Sequence, residues 1–299
     1  MTDYHIPVMI NECIDSLAIK PNGTYIDATL GGGGHSLSIL KELKDGRLYA
    51  FDCDSDAAEN VSNDSRFVFI QNNFKYLQHC LRYLGCTSVD GILADLGVSS
   101  HQFNCGERGF SFRFDADLDM RMNRNAYLTA AQVINNYSAE ELERIFSQYG
   151  ELEQSHLAAT LIIKGRAMKE IKSTRDLELV LLPISPRLHP HKFWATLYQS
   201  LRIEVNGEME ALEALLEQSL RLLKSGGRLV IITYHSLEDR MVKSFMRSGN
   251  IKGNISKDFY GNKETPFTPV TKKVITPSQE EVLLNNRSRS AKLRAVEKK

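Results

Sequence analysis

Between residues 24 and 95 the chain alternates short apolar runs with helical stretches, and this alternation constrains the fold more than any other sequence feature. The apolar runs cover residues 24–29, 47–52, 66–70 and 89–95. A fifth run at 226–234 follows a leucine-rich helical stretch at 207–224. Segments between the runs are long enough for crossover helices, so the sequence predicts an α/β fold with a parallel sheet.

The stretch between residues 96 and 206 has no clear strand pattern and is interpreted as a helical insertion. Within it, Ser138 and Glu141 form a capping box ahead of a helix that ends near Gly150. The proline-rich run at 182–190 is predicted to be a loop. The last residues, 282–299, carry six basic side chains against a single acidic one, so we expect a basic, mobile end.

Composition narrows the class of protein. The 299 residues include 37 basic and 37 acidic side chains, so a local patch, and not the net charge, would have to hold any nucleic acid. No segment approaches the roughly 20 apolar residues of a membrane span, and no leader pattern begins the chain. The five cysteines contain no C-x-x-C pair, which fits neither a disulfide framework nor a zinc site. We therefore expect a cytoplasmic protein with no bound metal.

A glycine-rich turn, Gly31 to Gly34, follows the first predicted strand and opens a helix. Backbone without Cβ atoms can approach a ligand closely, so the turn indicates a nucleotide-like ligand. Gly31 and Gly33 fit the first two positions of the dinucleotide pattern G-x-G-x-x-G, but Ser36 occupies the third. With Asp27 the spacing is D-x-x-x-G-x-G, which resembles the first motif of class I methyltransferases.

Polar and aromatic side chains follow the next three predicted strands. Asp52 closes the second strand about twenty residues beyond the turn, where a carboxylate accepts hydrogen bonds from ribose hydroxyls. Asp54 is a weaker candidate, because it also fits a helix N-cap. Phe74, after the third strand, suits either an adenine ring or the core. Asp95 ends the fourth strand, where it suits either a turn cap or an acceptor for an amine that receives a methyl group.

Several longer blocks resemble one family. Among them are Asp95-Leu-Gly-Val-Ser-Ser-His-Gln102 and His235-Ser-Leu-Glu-Asp-Arg240. The blocks occur in one order at residues 5–9, 33–36, 95–102, 108–112, 118–122, 149–151, 201–206 and 235–243. Together they resemble the RsmH family, also called MraW, of bacterial small-subunit ribosomal RNA cytosine-N4 methyltransferases.

The resemblance implies a Rossmann-like class I methyltransferase that uses S-adenosylmethionine and is interrupted by a helical domain. The expected domains are residues 1–106 and 201–299 for the methyltransferase, the second part with a basic C-terminal tail, and 107–200 for an inserted substrate-recognition domain. The expected reaction transfers a methyl group to the N4 amine of a specific cytidine in small-subunit (16S) ribosomal RNA. The substrate is naked RNA or a partly assembled subunit, and a homodimer is left open.

Matched onto this sequence, the cofactor contacts of the family fall on Gly33, Gly34, His35, Asp52, Phe74, Asp95 and Gln102. Asp95 is also the expected catalytic residue. On its own, His35 would be interpreted as a helix-start histidine bonded to backbone. His235 lies beside Glu238 and Asp239, but one histidine in a predicted helix is not a ligand set, so we assign neither a metal nor a general base there.

The chain departs from the DNA amino methyltransferases, which carry two prolines and an aromatic residue after strand four, because Leu-Gly-Val follows Asp95. Phe110, Phe112 and Tyr234 are candidates to stack on the cytosine, or they belong to the core. Arginines either grip phosphates or pair with nearby aspartates at positions 108, 113, 121 and 124. Rival hypotheses are a methyltransferase of DNA or protein, an NAD-dependent oxidoreductase, and an RNA-binding module without catalysis.

Overall fold

The computed structural model describes residues 7–188, 190–257, 259–261, 263–271 and 273–299. His5 and Ile6 of the first family-like block, and His189 of the proline-rich run, lie outside these residues. The chain divides into two compact units, one of residues up to Gly97 with Met209–Lys299 and one of Val98–Glu208. The domain limits predicted from the sequence, at residues 106 and 200, stay a prediction. Among the described residues, no helix is both long and apolar enough to cross a bilayer.

The strands of the protein are β1 (Thr24–Asp27), β2 (Arg47–Asp52), β3 (Phe67–Gln71), β4 (Val89–Asp95), β5 (Leu223–Thr233), β6 (Ser256–Lys257), β7 (Lys263–Glu264), β8 (Phe267–Pro269) and β9 (Lys292–Lys298). The main sheet has the order β3-β2-β1-β4-β5-β9-β8, and its first five strands are parallel. β9 is antiparallel to both β5 and β8, and β6 and β7 form a separate hairpin. The predicted α/β fold with a parallel sheet is confirmed.

The helices are α1 (Ile10–Leu17), α2 (Gly34–Glu42), α3 (Leu77–Tyr83), α4 (Ser100–Asn104), α5 (Ala130–Asn136), α6 (Ala139–Gln148), α7 (Ser155–Met168), α8 (Thr174–Leu181), α9 (Pro190–Asn206), α10 (Glu208–Leu222), α11 (Ser236–Ser248) and α12 (Gln279–Leu284). Those from α4 to α9 belong to the unit of residues 98–208. The predicted helical insertion is therefore confirmed.

The middle residues of the parallel strands are mainly apolar because both faces of the sheet are covered. In β2, Tyr49 and Phe51 pack on one face with residues of α3, α10 and α11. Leu48 and Ala50, which alternate with them, pack on the other face with residues of α1 and α2. Because helices cover both faces of the sheet, its faces are lined by apolar residues. Polar side chains lie instead at the edge formed by the carboxyl ends of the strands.

The second unit has its own core, built from helices whose starts are marked in the sequence. Ser138 accepts a hydrogen bond from Glu141 N at 3.2 Å and opens α6, which confirms the helix predicted from that capping box. Phe146 of α6 is buried with Ile162 of α7 and Leu197 of α9. In the proline-rich run the structure has a single 3₁₀ turn at Leu182–Ile184, and α9 then begins on a proline, which suits the first position of a helix.

The C-terminal segment is a strand of the main sheet, so the prediction of a mobile basic end was wrong. Leu293 of β9 is fully buried, and Arg294 donates a hydrogen bond to Asp239 Oδ1 at 2.7 Å. Lys298 Nζ donates to the carbonyl oxygens of Leu220 and Leu223. The segment is rich in basic residues because several of them hold β9 against α10 and α11. These residues are close together in the sequence.

The packing of β9 leads to a first prediction. Leu293→Ala should lower the free energy of unfolding by about 2 to 5 kcal/mol, because it leaves a cavity inside the sheet layer. Leu283→Ala serves as the control, since this side chain in α12 is 86% exposed, and it should change stability by less than about 0.5 kcal/mol. Urea denaturation followed by circular dichroism measures both. Equal, small effects of the two substitutions would contradict the placement of β9 in the sheet.

Candidate active site

The site lies where β1 and β4 run side by side and the chain leaves them towards different neighbours. This arrangement makes a crevice at the carboxyl ends of the strands, where open α/β sheets bind ligands. Ala28 N donates to Leu93 O at 2.8 Å, which continues the pairing past the end of β1. Asp95 N then donates to Thr29 Oγ1 at 2.7 Å. The turn after β1 and the end of β4 are thus bonded directly to each other.

The glycine turn has a backbone conformation and close contacts that leave no room for a Cβ atom at Gly33 or Gly34. Gly33 precedes α2 with a φ of 78°, and a Cβ there would lie 3.2 Å from Asn60 O. Asn60 Nδ2 in turn donates to Gly31 O at 2.8 Å. A Cβ at Gly34 would lie 2.8 Å from Pro7 Cγ. With glycine as its N-cap, α2 begins with no side-chain cap, so its first backbone N–H groups can bind an anionic or polar ligand.

Asp27, the last residue of β1, joins the two ends of the glycine turn by hydrogen bonds. Its carboxylate is buried and accepts hydrogen bonds from Ser36 Oγ at 2.7 Å and Thr29 N at 3.1 Å. Burial raises the pKa of Asp27, against the effects of His35 and of these donors. Ser36, which broke the dinucleotide pattern, therefore joins the start of α2 to the end of β1. These contacts explain the D-x-x-x-G-x-G spacing. The aspartate binds residues of the turn itself and so fixes the shape of the turn.

Asp52 ends β2 beside the same turn. Its Oδ2 accepts from Gly31 N at 2.8 Å and its Oδ1 from Asp54 N at 2.8 Å. Burial raises its pKa to about 6, in opposition to these two donors. Each carboxylate oxygen has two lone pairs, so the group can still accept hydrogen bonds from hydroxyls. Asp54 accepts from Asp56 N at the start of the 3₁₀ helix Ser55–Asn60, which is its predicted capping role.

Asp95 is the centre of a polar cluster formed by three elements. Tyr234, directly after β5, donates its hydroxyl to Asp95 Oδ1 at 2.7 Å. His35, in the first turn of α2, holds Nδ1 3.9 Å from Asp95 Oδ2 and Nε2 3.0 Å from Val8 O. The carboxylate side chain keeps 21% of its surface exposed, so a small ligand group can reach it. The backbone bond expected of a helix-start histidine is present, and the same ring also faces Asp95.

Burial and hydrogen bonding act on Asp95 in opposite directions. Burial raises its pKa to about 6, while His35 and the hydroxyl of Tyr234 lower it. Burial and the neighbouring Asp95 carboxylate raise the pKa of Tyr234 well above its usual value of 10, so the phenol keeps its proton. Tyr234 is therefore the donor in this hydrogen bond, and the bond stabilises the ionised form of Asp95.

Two further predicted cofactor contacts, Phe74 and Gln102, follow β3 and β4 along the chain. Phe74 begins the 3₁₀ turn Phe74–Tyr76 after β3 and is partly buried against the core of its unit, so its two interpretations from the sequence both stand. Gln102 belongs to the second unit, in which its side chain is buried. There Gln102 Oε1 accepts from Ser99 N at 3.0 Å, which makes the capping box of α4.

The other aromatic candidates belong to the interior of the second unit. Phe110 is buried in its core, and Phe112 packs edge-on against Tyr198 with ring centroids 5.7 Å apart. Both rings therefore have the core role that the sequence left open, while Tyr234 is held at Asp95. Sequence reasoning missed this role of Tyr234. The available signal was its position directly after β5, next to β4 in the sheet.

The four arginines of the second unit differ in their surroundings. Arg108 is buried and donates to the carbonyl oxygens of Arg121 and Met122. The side chain of Arg121 binds Asp119, with Nη2 and Oδ2 2.6 Å apart. Arg113 and Arg124 are exposed. Arg108 and Arg121 therefore make contacts within the unit, and phosphate contact stays a prediction for the exposed side chains Arg113 and Arg124.

His235 starts α11 and so supports Tyr234. Its Nδ1 accepts from Glu238 N at 3.5 Å, and Glu238 Oε2 accepts from Tyr234 N at 2.8 Å. Nε2 of His235 is buried 3.1 Å from Glu238 Oε1. This capping box holds the backbone of residue 234 in place and thereby aims the phenol at Asp95.

The fold and the site together define a class of protein. The parallel sheet has a glycine turn after β1, a carboxylate at the end of β2 and a polar cluster at the end of β4. These features are typical of α/β enzymes that bind a nucleoside-type ligand at the carboxyl edge of the sheet.

The chain is similar to a protein of Phocaeicola vulgatus named ribosomal RNA small subunit methyltransferase H, with 54% identity over 99% of this chain and 98% of that protein. A protein of the same name from Flavobacterium psychrophilum is 53% identical over 97% and 100% of the two chains.

Among solved structures, an rRNA methylase from Streptococcus thermophilus aligns over 98% of both chains with 16% identity and a TM-score of 0.42, which is too distant a likeness to argue from. The profile of the MraW methylase family matches residues 2–299. The chain belongs to the MraW methylase family. The predictions of the family and of a methyltransferase are therefore confirmed.

The hydrogen bond between Tyr234 and Asp95 leads to a second prediction. Tyr234→Phe should raise the pKa of Asp95 further above its value of about 6, because the bond favours the ionised carboxylate. Carbon-13 NMR titration of labelled aspartate side chains measures it. Tyr25→Phe is the matched control, since its buried hydroxyl accepts from Lys20 N and does not touch Asp95. If both substitutions left the Asp95 titration unchanged, the bond would be absent in solution.

Proposed function

We propose that the protein transfers a methyl group from S-adenosylmethionine to the exocyclic N4 amine of a specific cytidine in small-subunit ribosomal RNA. The observation that carries the proposal is the Asp95 cluster, a reachable carboxylate held by a phenol beside the glycine turn. Membership of the MraW methylase family supports the reaction class. The names of the relatives support the choice of RNA.

The residues around the crevice fit the methyl donor. The uncapped N–H groups at the start of α2, next to Gly33 and Gly34, suit its carboxylate. Asp52 suits the ribose hydroxyls, because its oxygens retain free lone pairs beside the turn. Phe74 suits the adenine ring. His35, Asp95 and Gln102 are retained as predicted contacts, and His35 also acts on Asp95.

When bound, S-adenosylmethionine supplies an electrophilic methyl group. Asp95 accepts a hydrogen bond from the amine, which orients the nitrogen lone pair, and takes up the proton that the amine loses, directly or through water. Tyr234 holds one oxygen of Asp95, so the other oxygen faces the amine. The phenol also keeps Asp95 ionised at neutral pH despite its burial.

The second unit is proposed to recognise the RNA around the target base. Its own core and capped helices make it a stable platform. Arg113 and Arg124, the exposed pair among the candidate arginines, are assigned to phosphate contacts. The predicted limits of this recognition domain, residues 107 and 200, lie inside the compact unit of residues 98–208. A cytoplasmic location belongs to the same proposal, as does small-subunit RNA as the substrate, either alone or within a partly assembled subunit.

Methyl transfer tests the proposal, with Asp95→Asn as the decisive variant. Purified protein should transfer labelled methyl groups to small-subunit RNA or to partly assembled subunits, at N4 of a cytidine, and not to DNA or protein. Asp95→Asn keeps the size of the side chain but removes the charge, so kcat should fall by about 10²- to 10⁴-fold. Circular dichroism checks that the variant is folded.

Asp90→Asn is the matched control, because Asp90 lies in the same strand at its opposite end and pairs with Lys224. Its kcat should stay within about twofold of the wild type, since it is remote from the transferred group. Full activity of Asp95→Asn would remove Asp95 from the mechanism. Label found on DNA or protein, and not on the RNA, would refute the substrate class.

The raised pKa of Asp95 leads to a pH dependence. Because the carboxylate acts in its ionised form and its pKa is about 6, kcat/KM, which reports the ionisations of the free enzyme, should fall as the pH drops below about 6 and approach a tenfold loss per unit. An ordinary aspartate would give that fall about two units lower. Initial rates at donor and RNA concentrations below their KM values measure the profile. Asp95→Asn should lose this acidic limb, and its persistence there would assign the limb to another group.

A further inference from the structure

The hairpin of β6 and β7 presents two neighbouring aromatic rings to solvent. Phe259 is 98% exposed and Tyr260 85% exposed. Their centroids lie 5.6 Å apart with the planes at 88°, so the two rings face in different directions. Exposed apolar groups of this size, side by side, indicate a surface that binds a partner.

The hairpin stands at the edge of the sheet opposite to the crevice. β5 ends at Thr233 beside the end of β4, and α11 follows it. β8 begins at Phe267, which pairs with Lys298 of β9. The neighbouring Glu297 pairs with Arg228 of β5, and Arg228 pairs with Gly91 in the first half of β4, away from the carboxyl end. The chain between β5 and β8 therefore crosses from one edge to the other. α11 has 13 residues, which at 1.5 Å per residue is about 20 Å.

Exposed cations line this path. Lys243 and Arg247 are exposed one helical turn apart on α11, and Lys252 and Lys257 are exposed in the segment that follows. This segment lies back on the helix, because a Cβ at Gly253 would be 3.7 Å from Arg247 Nη2. In the described part of the chain, no ion pair involves the members of this basic strip, which are Lys243, Arg247, Lys252 and Lys257.

The composition of the segment matches its exposure. Residues 240–264 contain six basic side chains and two acidic ones, although the whole chain is neutral. Arg294 and Lys292 of β9, by contrast, are paired with Asp239. The basic strip therefore gives a local positive field that no described residue of the unit cancels by direct pairing.

We propose that the basic strip and the hairpin tip form a binding surface for a single-stranded segment of the RNA substrate, with Phe259 and Tyr260 stacking on bases. The inference rests on the proposed function in taking RNA as the substrate. Proteins that bind single strands without sequence preference combine a positive groove for phosphates with aromatic rings for bases. The surface meets both requirements. Its cations on α11 lie in the second half of this helix, which is about 20 Å long and begins at the crevice edge.

Exposed aromatic rings could bind a second copy of this chain or a nucleic acid. The positive charge beside the rings favours RNA. A second copy of this chain would bring the same positive strip against itself in a symmetric contact, which is repulsive. A polyanion neutralises the strip and releases its counterions on binding. Bases supply flat faces for both rings whatever their sequence.

Removal of the two rings tests the stacking. The double variant Phe259→Ala/Tyr260→Ala should bind a fluorescein-labelled single-stranded RNA oligonucleotide at least about fivefold more weakly in fluorescence anisotropy. On small-subunit RNA the KM should rise while kcat at saturating RNA is retained. Tyr83→Ala, with a side chain 90% exposed on α3, is the control and should leave both unchanged. The variant Phe259→Trp/Tyr260→Trp should restore the affinity, since indole rings stack equally well.

Removal of the charges tests the phosphate contacts. Replacement of all four residues of the basic strip by glutamine should make the plot of log affinity against log salt shallower by about 3, at roughly 0.7 for each phosphate contact on a single strand. The ring variants should leave this slope unchanged. Thermal denaturation verifies that every variant is folded.

Wild-type RNA affinity in the ring variant would overturn the inference. If the sedimentation coefficient of that variant were also altered, the rings would be assigned to self-association. Wild-type protein that methylates no RNA at all would instead be a failure of the proposed function. The two failures are distinguishable because the anisotropy measurement needs neither the methyl donor nor turnover.

Discussion

The pairing of β1 with β4 is the constraint on which the candidate site depends. It brings the glycine turn and the end of β4 together, and the bond from Asp95 N to Thr29 Oγ1 joins them. α2 can then start directly after Gly33, because Asp27 accepts a hydrogen bond from Ser36 and Gly33 has no Cβ to contact Asn60. A slip of one residue in this register would exchange the two faces of β1 and separate these groups. The position of the polar groups is therefore a consequence of how the apolar strands pack.

The Asp95 carboxylate shows how a buried acid keeps its charge. Burial alone would favour the neutral acid, which is a far weaker base than the carboxylate and does not take up a proton at neutral pH. A donor from Tyr234 and the ring of His35 offset part of that penalty, and the pKa stays at about 6. The group is then ionised at neutral pH but weakly hydrated, and a weakly hydrated carboxylate accepts a hydrogen bond more strongly than one in water. His235 contributes indirectly, because the cap of α11 positions the phenol.

Local signals predicted the parts of the fold that local interactions determine. Strand β2 has the limits predicted from its apolar run, and the Ser138 box starts a helix as expected. Two features escaped prediction. The partners Tyr234 and Asp95 are 139 residues apart, so only the strand order brings them together. β9 alternates basic and apolar residues at the end of the chain, a pattern shared by a solvated tail and by a strand whose lysines and arginines find partners.

The charges of the C-terminal half show why a count of basic residues does not locate a nucleic-acid surface. β9 looks the more basic segment in the sequence, yet Arg294 is bonded to Asp239 and Lys298 to the carbonyl oxygens that end α10. Each of these cations already has its counter-group, so a phosphate would have to compete with a partly buried bond. Lys243 and Arg247 on α11 face water, and a phosphate there displaces only mobile counterions. The fold determines which cations are paired with acidic or carbonyl groups. This pairing, rather than the number of basic residues in a segment, determines which cations remain available to a polyanion.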